Sequence, residues 1–206
     1  MIIHTFNELL SDSLKKELHD AIMQDEFIFP DKQTPNPIYS SFQVSTKPHF
    51  PENVENFYYD RVAKILNELG LMGRVSVYAT KWCQIYNNSM GGCHPAHAHY
   101  SGSELFSWIN FVEAPTDQKC FYFLDTDGVR HYPDTQNSGD FIVFPSWALH
   151  GVDPVQNPGV NRTIVSGNII CSKYKDLPDD NMSFVARQRV VKGQQQLVWT
   201  MEPNHG

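Results

Sequence analysis

The sequence lacks several features that mark whole classes of protein. It has no run of five or more basic residues, and its net charge is −7. Binding to the phosphate backbone of nucleic acids needs a concentration of lysine and arginine, so nucleic acid is not expected as the main partner. No stretch approaches the roughly eighteen apolar residues of a membrane-spanning helix, so we expect no membrane span.

Cysteine is also scarce. The four positions, Cys83, Cys93, Cys120 and Cys171, contain no Cys-x-x-Cys pair. This spacing predicts neither a zinc ribbon nor a disulfide scaffold, and it favours reduced thiols in a cytosolic protein. The N-terminus has no basic region followed by a long apolar core, so we expect no signal peptide and a cytoplasmic location.

The amino-acid composition is typical of a globular protein, with 41% hydrophobic and 13% aromatic residues. A chain of 206 residues is long enough to bury one core, and we expect a single domain over residues 1–206. Amphipathic helices are predicted at residues 11–23 and 52–69, because apolar residues recur there every three or four positions. Residues 24–51 are rich in proline, serine and threonine, which indicates a loop with a short strand near residues 41–45, or a segment that covers a substrate.

The hydrophobic period changes to two from Arg74 onwards, as in β-strands. Turn signals such as Asp127-Gly128 separate eight short predicted strands, with no helix between them. These strands cover residues 75–86, 94–99, 105–112, 119–124, 129–132, 140–144, 147–152 and 162–170. We therefore predict an all-β core with flanking helices: a double-stranded β-helix, or cupin-like jelly roll, over residues 74–171, braced by two N-terminal helices within residues 1–73.

The pattern weakens in the C-terminal extension, residues 172–206. Two further extended segments are predicted there, at residues 183–191 and 196–201. The extension is interpreted as a loosely docked tail, as a lid over the site, or as an arm that makes a homodimer.

A histidine-rich segment, Cys93-His94-Pro95-Ala96-His97-Ala98-His99, contains three of the nine histidines. Side chains alternate across a strand, so His97 and His99 are expected on one face while His94 falls out of phase at the rim. His150, at the end of an apolar run, is the candidate third ligand from a distant strand. Neutral imidazole suits iron, zinc, copper and nickel, so the pattern predicts a metal site; the alternative is a solvated loop.

The last predicted strand of the core has a polar face, on which Arg162, Ser166 and Asn168 alternate with apolar residues. The planar guanidinium of Arg162 offers a fork for a carboxylate, or else pairs with a surface acid. By the same alternation Gln84 and Tyr86 share a face, and Tyr86 is a hydroxyl donor to that carboxylate or a core aromatic.

Other residues at strand spacing are candidate pocket liners or core residues. They are Trp108, Asn110, Phe123 and Trp147.

Taken in chain order, these motifs resemble the iron(II)- and 2-oxoglutarate-dependent oxygenases, in particular a poorly characterised branch found in bacteria and marine phages. The resemblance covers about residues 75–170. The residues that carry it are Tyr86, His97-Ala98-His99, Ser101-Gly102, Ala114-Pro115, Gly139-Asp140-Phe141-Ile142-Val143-Phe144-Pro145-Ser146, His150 and Arg162.

The resemblance implies a jelly roll that binds one iron(II) and holds 2-oxoglutarate through Arg162, with Tyr86 and Asn168 as further contacts. It implies a dioxygenase that uses O2, converts 2-oxoglutarate into succinate and CO2, and most often hydroxylates a C–H bond. The substrate would be a small molecule or a peptide. Alternatives are a three-histidine, cupin-like dioxygenase without 2-oxoglutarate, or a non-catalytic metal-binding jelly roll.

The sequence departs from the family pattern at one position. The family has His-x-Asp/Glu followed by a distal histidine, whereas His99 stands here in place of the carboxylate. We expect His99 to serve as the ligand. Glu104, Asp125 and Asp127 are the alternative sources of a carboxylate.

Overall fold

The structure is a computed structural model that describes residues 2–23, 28–29, 38–41, 50–71, 75–87, 92–99, 104–114, 118–154, 161–174, 182–191 and 194–203. These residues form two helices, α1 (Asp12–Ile22) and α2 (Glu52–Glu68). Their strands are β1 (His4–Asn7), β2 (Ile28–Phe29), β3 (Ile38–Ser40), β4 (Val75–Asn87), β5 (His94–His97), β6 (Glu104–Glu113), β7 (Phe121–Leu124), β8 (Arg130–His131), β9 (Asp140–Pro145), β10 (His150–Val152), β11 (Asn161–Tyr174), β12 (Met182–Val191) and β13 (Gln194–Pro203).

Both predicted helices are confirmed. The Ser11 hydroxyl accepts a hydrogen bond from the Leu14 N–H at 3.3 Å, which satisfies one of the free donors at the start of α1. Just beyond the end of α2, Gly70 has a φ of 65°, the left-handed conformation that glycine adopts readily after a helix.

The predicted strands are also found, with shifts in their ends. β5 ends at His97, so His99 lies beyond the strand in which it was predicted. β10 begins only at His150, because the chain turns first and the Ala148 N–H donates to the Pro145 carbonyl at 2.9 Å. β1 was not predicted. Most of the predicted strand at residues 41–45 lies outside the described residues, and β3 ends just before it.

The strands form two sheets in which all pairings are antiparallel. The large sheet has the order β1-β9-β6-β11-β4-β13-β12, with β3 also paired to β4 and β2 to β3. The small sheet has the order β5-β10-β7-β8. Within the C-terminal extension, β12 and β13 form a hairpin whose β13 pairs with β4.

Strict alternation in the large sheet separates two buried clusters. On β9, Phe141 and Val143 join a core with residues of α1 and α2, such as Leu18 and Tyr58. Ile142 and Phe144 join a second core, which also contains residues of the small sheet. The second face of the large sheet therefore meets the small sheet, and the candidate site lies on that side.

The protein is thus mostly antiparallel β-sheet with two helices. None of the helices in the described part of the chain is long and apolar enough to cross a membrane. The complete strand topology of a double-stranded β-helix, with helices bracing it, stays a prediction.

Candidate metal centre

A cavity of about 320 Å³ lies between the two sheets. Seven of the predicted site residues line it: Gln84, Tyr86, His97, His99, Trp108, His150 and Ser166. Its wall also contains residues that were not predicted to line the pocket: Trp82, Ser107, Ile109, Phe121, Phe144, Val152 and Ile164. The period-two pattern could have identified most of these, since they share faces with the residues that were named.

The three predicted ligands converge in this cavity. His97 and His150 lie directly opposite each other in the paired strands β5 and β10. One ring nitrogen from each of His97, His99 and His150 lies within 4.8 Å of the others, and the two Nε2 atoms of His99 and His150 are 3.2 Å apart. Two metal–nitrogen bonds of about 2.1 Å at a right angle place their nitrogens about 3 Å apart. This spacing fits one shared cation.

Backbone carbonyls orient two of the rings. The Nδ1 of His97 lies 2.9 Å from the Pro95 carbonyl oxygen, and that of His150 lies 2.9 Å from the Ala148 carbonyl oxygen. A carbonyl only accepts, so each Nδ1 carries the proton and each Nε2 keeps its lone pair. This is the arrangement found in metal-ligating histidines.

The histidines are held in their neutral form. Burial, followed by the neighbouring His94, lowers the pKa of His97 to about 4. Burial and the neighbouring histidines lower the pKa of His99 to about 3, and they lower the pKa of His150 well below its usual value. Neutral imidazoles are the form that binds a metal.

The cluster of three histidines contains no carboxylate among the described residues. Asp125 is engaged elsewhere, because its carboxylate oxygens contact His131 at 2.6 Å and accept hydrogen bonds from the Asp127 and Val129 N–H groups. The charge of Glu104 opposes the lowering of the pKa of His99.

Arg162 on β11 lies opposite Tyr86 on β4, and its guanidinium carbon is 4.4 Å from the centre of the Tyr86 ring. Only 2% of Arg162 is exposed, and none of its three guanidinium nitrogens makes a hydrogen bond to a described residue. Burial lowers the pKa of Arg162, an effect that Tyr86 and the neighbouring thiol of Cys120 oppose. Among the described residues this buried cation has a thiol beside it but no oxygen or nitrogen acceptor, which is unfavourable, so the position favours an anionic ligand.

Tyr86 forms the wall between Arg162 and the cavity. Tyr86 lines the cavity, whereas Arg162 is not among the lining residues. The Tyr86 hydroxyl donates to Gln84 Oε1 at 3.0 Å, so it has a partner without any ligand.

Asn168 lies six residues from Arg162 on the same strand, about 20 Å away at 3.3 Å per residue. Asn168 and Arg162 are thus too far apart to hold the same carboxylate group, and the expected contact of Asn168 with 2-oxoglutarate stays a prediction. Asn168 Oδ1 instead accepts a hydrogen bond from the Ser107 hydroxyl at 2.8 Å.

Three predicted pocket residues lie elsewhere or only border the cavity. Asn110 has its side chain on the helix side, where it accepts from the Tyr58 hydroxyl at 2.8 Å. The Trp108 ring packs on the same side and stacks on Tyr58 at 5.7 Å. Phe123 lies in the core between the sheets, 5.2 Å from the Phe144 ring, and is not among the lining residues.

No protein-family model and no curated protein sequence matches the chain. Solved structures do match it. A prolyl-4-hydroxylase from Pseudomonas putida is 17% identical, with a TM-score of 0.57 over 81% of this chain and 91% of that one. A prolyl hydroxylase in complex with a hypoxia inducible factor oxygen degradation domain peptide fragment, from Trichoplax adhaerens, is 11% identical, with a TM-score of 0.57 over 81% and 82% of the two chains.

A third similar structure is the non-heme alpha ketoglutarate dependent carbocyclase SnoK from nogalamycin biosynthesis. It is 10% identical, with a TM-score of 0.56 over 85% of this chain and 82% of that one. The chain therefore has the fold of the 2-oxoglutarate-dependent, iron(II) oxygenases. At these identities the likeness concerns the fold alone.

Proposed function

We propose that the protein is an iron(II)- and 2-oxoglutarate-dependent oxygenase whose iron is held by His97, His99 and His150. The observation that carries the proposal is the conjunction of three converging neutral imidazoles with a buried arginine that has no oxygen or nitrogen acceptor among the described residues. Iron(II) with 2-oxoglutarate and O2 supplies an oxidation that yields succinate and CO2, most often with hydroxylation of a C–H bond. The double-stranded β-helix topology, braced by the two helices, is part of this proposal.

The residues of the chain have distinct roles in it. Three neutral imidazoles on one side leave positions of a bound metal open for further ligands, as a catalytic rather than a structural site requires. Arg162 is assigned to the distant carboxylate of 2-oxoglutarate, since it offers a charged fork in a dry environment. Tyr86 and Gln84 would then line the path of that carboxylate to Arg162.

The aromatic and aliphatic part of the cavity wall would limit the access of water to the reactants. The substrate is a small molecule or a peptide. The peptide alternative draws on the peptide bound to the similar Trichoplax adhaerens protein. We propose an oxidation without specifying its product, because the similar structures include both hydroxylases and a carbocyclase.

The test is the binding of 2-oxoglutarate to Arg162→Met in the presence of iron(II) and without O2. Removing the charge should weaken binding at least tenfold, since truncation of one partner in a buried ion pair costs about 2–5 kcal/mol. Without ligand, however, the variant should unfold at the same or a higher denaturant concentration, because a buried unpaired charge has been replaced by an apolar chain. A purely structural arginine predicts the opposite change in stability.

Arg130→Met is the matched control. Arg130 also lies over a tyrosine ring, 4.6 Å from the centre of Tyr122, but it is exposed and paired with Asp153 at 2.7 Å. Its loss should leave 2-oxoglutarate affinity unchanged. If the unaltered protein binds iron(II) but neither binds 2-oxoglutarate nor forms succinate with any candidate substrate, the alternative without 2-oxoglutarate is favoured instead.

A further inference from the structure

The three proposed ligands are held in different ways. His97 and His150 are fixed by the register between β5 and β10. His99 lies two residues past the end of β5, so no strand pairing determines where its ring lies. His99 stands at the position of the usual carboxylate ligand. The contacts that position its ring therefore decide whether a histidine can serve as the third ligand there.

The turn of residues 145–148 holds His99 and His150 together. The Ser146 carbonyl accepts a hydrogen bond from the His99 N–H at 2.9 Å. Two residues later, the Ala148 carbonyl lies 2.9 Å from the Nδ1 of His150. A displacement of this short turn would therefore move two ligands at once.

A chain of buried polar side chains ties the turn to the large sheet. The Ser146 hydroxyl lies 3.2 Å from the hydroxyl of Ser107 on β6. Ser107 in turn donates to Asn168 Oδ1 on β11 at 2.8 Å. Their exposed fractions are 0% for Ser146, 1% for Ser107 and 8% for Asn168. Hydrogen bonds are stronger in such a dry environment and make the structure around them more rigid, so the chain restricts the position of the turn.

We propose that Ser107 and Asn168 are positioning residues for the metal centre, which act through the Ser146 hydroxyl to set the distance between His99 and His150. The inference rests on the metal site of the proposed function. Without the hydroxyl of Ser107 the turn keeps the backbone hydrogen bond from the Ser146 N–H to the Leu105 carbonyl at 3.2 Å, but it loses its side-chain tie to β6 and β11. The turn then has more freedom, and the separation of the two Nε2 atoms is less well defined. Metal ligation tolerates only about 0.2 Å of variation in bond length, so the affinity for metal falls.

The test is Co(II) binding to the full chain, followed by equilibrium titration and by the visible absorption of the bound ion. Ser107→Ala should raise the dissociation constant about tenfold or more, in the range known for residues that orient metal ligands, and should change the absorption bands. Ser107→Thr keeps the hydroxyl and should restore both. Ser146→Ala removes the next hydroxyl in the chain and should reproduce Ser107→Ala, which gives a second measurement if that variant does not fold.

Ser41→Ala is the matched control. Ser41 is a serine of the same burial, 1% exposed, whose hydroxyl accepts from the Cys83 N–H at 2.9 Å and makes no contact with the turn. The Ser41→Ala variant should be less stable than the unaltered protein, with no change in its affinity for Co(II) or in the absorption of the bound ion. Unchanged Co(II) binding in both Ser107→Ala and Ser146→Ala overturns the positioning role alone. Failure of the unaltered protein to bind Co(II) overturns the metal site itself.

Discussion

A ring nitrogen that faces a carbonyl oxygen fixes the role of the other nitrogen in the same ring. At His97 and His150 this leaves Nε2 as a lone-pair donor toward the cavity. His94 shows that proximity alone is not enough. Its ring is 4.2 Å from that of His97, and its Nδ1 shares the Pro95 carbonyl, yet it is outside the group of three converging nitrogens.

This difference gives a prediction for a pair of neighbouring histidines. His97→Gln should abolish stoichiometric iron(II) or Co(II) binding, because a facial site with two ligands holds the ion weakly. His94→Gln should leave the stoichiometry at one ion per chain. The measurement is metal content after dialysis of each variant, with circular dichroism to verify the fold. Equal metal content in the two variants would contradict the ligand assignment.

At the scale of elements, α2 is joined to the large sheet by a buried polar contact. The Tyr58 hydroxyl donates to Asn110 Oδ1 at 2.8 Å, and Asn110 Nδ2 donates to the Asp140 carbonyl at 3.2 Å. Both side chains are fully buried. Asn110 thus stabilises the packing of the helix on the sheet, which is a structural role rather than contact with a substrate.

Tyr58→Phe should therefore lower the free energy of unfolding by about 1–2 kcal/mol, since Asn110 Oδ1 loses its donor in a dry environment. The affinity for Co(II) should not change. Tyr132→Phe is the control, because it removes a tyrosine hydrogen bond to Asp153 on the exposed surface and should have a smaller effect. Urea denaturation measures the free energy of unfolding of both variants. A change in metal affinity with Tyr58→Phe would show that Asn110 acts in the site after all.

The outcome for Asn110 illustrates what alternation in the sequence predicts and what it leaves open. A period of two identifies which residues share a face, and it correctly grouped Gln84 with Tyr86 and Arg162 with Ser166. It does not tell which face meets the second sheet and which meets the helices. Asn110 was therefore assigned to the pocket although its side chain lies on the helix side. Trp108 does line the cavity, but its ring stacks on Tyr58 on the helix side.

Periodicity in the sequence also does not predict which residues of one strand are close enough to share a ligand, or where a strand ends. Asn168 shares the face of Arg162 but lies too far along β11 to hold the same carboxylate group. His99 was predicted within a strand, whereas its position depends on a turn more than forty residues later in the chain. Local periodicity carries no information about such long-range contacts, so the chain of Ser107, Ser146 and Asn168 was not predicted.

At the scale of the whole molecule, the cavity between the two sheets links the proposed metal site to the stability of the fold. The sheets meet through aromatic residues such as Phe121 and Phe144, whose rings lie 5.7 Å and 4.8 Å from the ring of His150. The partly buried rings of His97 and His99 and the buried ring of His150 favour the uncharged imidazole in this layer, so protonation of these histidines opposes folding. The metal-free protein should therefore lose stability in acid before its carboxylates titrate.

The sign and size of this effect follow from the pKa values. The folded protein holds the pKa of His97 at about 4 and that of His99 at about 3, and it lowers the pKa of His150 well below its usual value. The unfolded chain has an ordinary histidine pKa of about 6.5. Between these values the unfolded state binds more protons, so stability is present above pH 6.5 and falls as the pH falls.

From pH 7.5 to pH 5.5 each of the three histidines should lower the free energy of unfolding by roughly 1 kcal/mol, so that the three together lower it by a few kcal/mol. Urea denaturation of the metal-free protein at the two pH values measures this decrease. The glutamine of His97→Gln cannot be protonated, so the free energy of unfolding of this variant should decrease by about a third less between the two pH values. His94→Gln is the control, and its free energy of unfolding should decrease more than that of His97→Gln. A free energy of unfolding that is equal at the two pH values would mean that these histidines titrate normally in the folded protein, and that they are not packed as neutral ligands between the sheets.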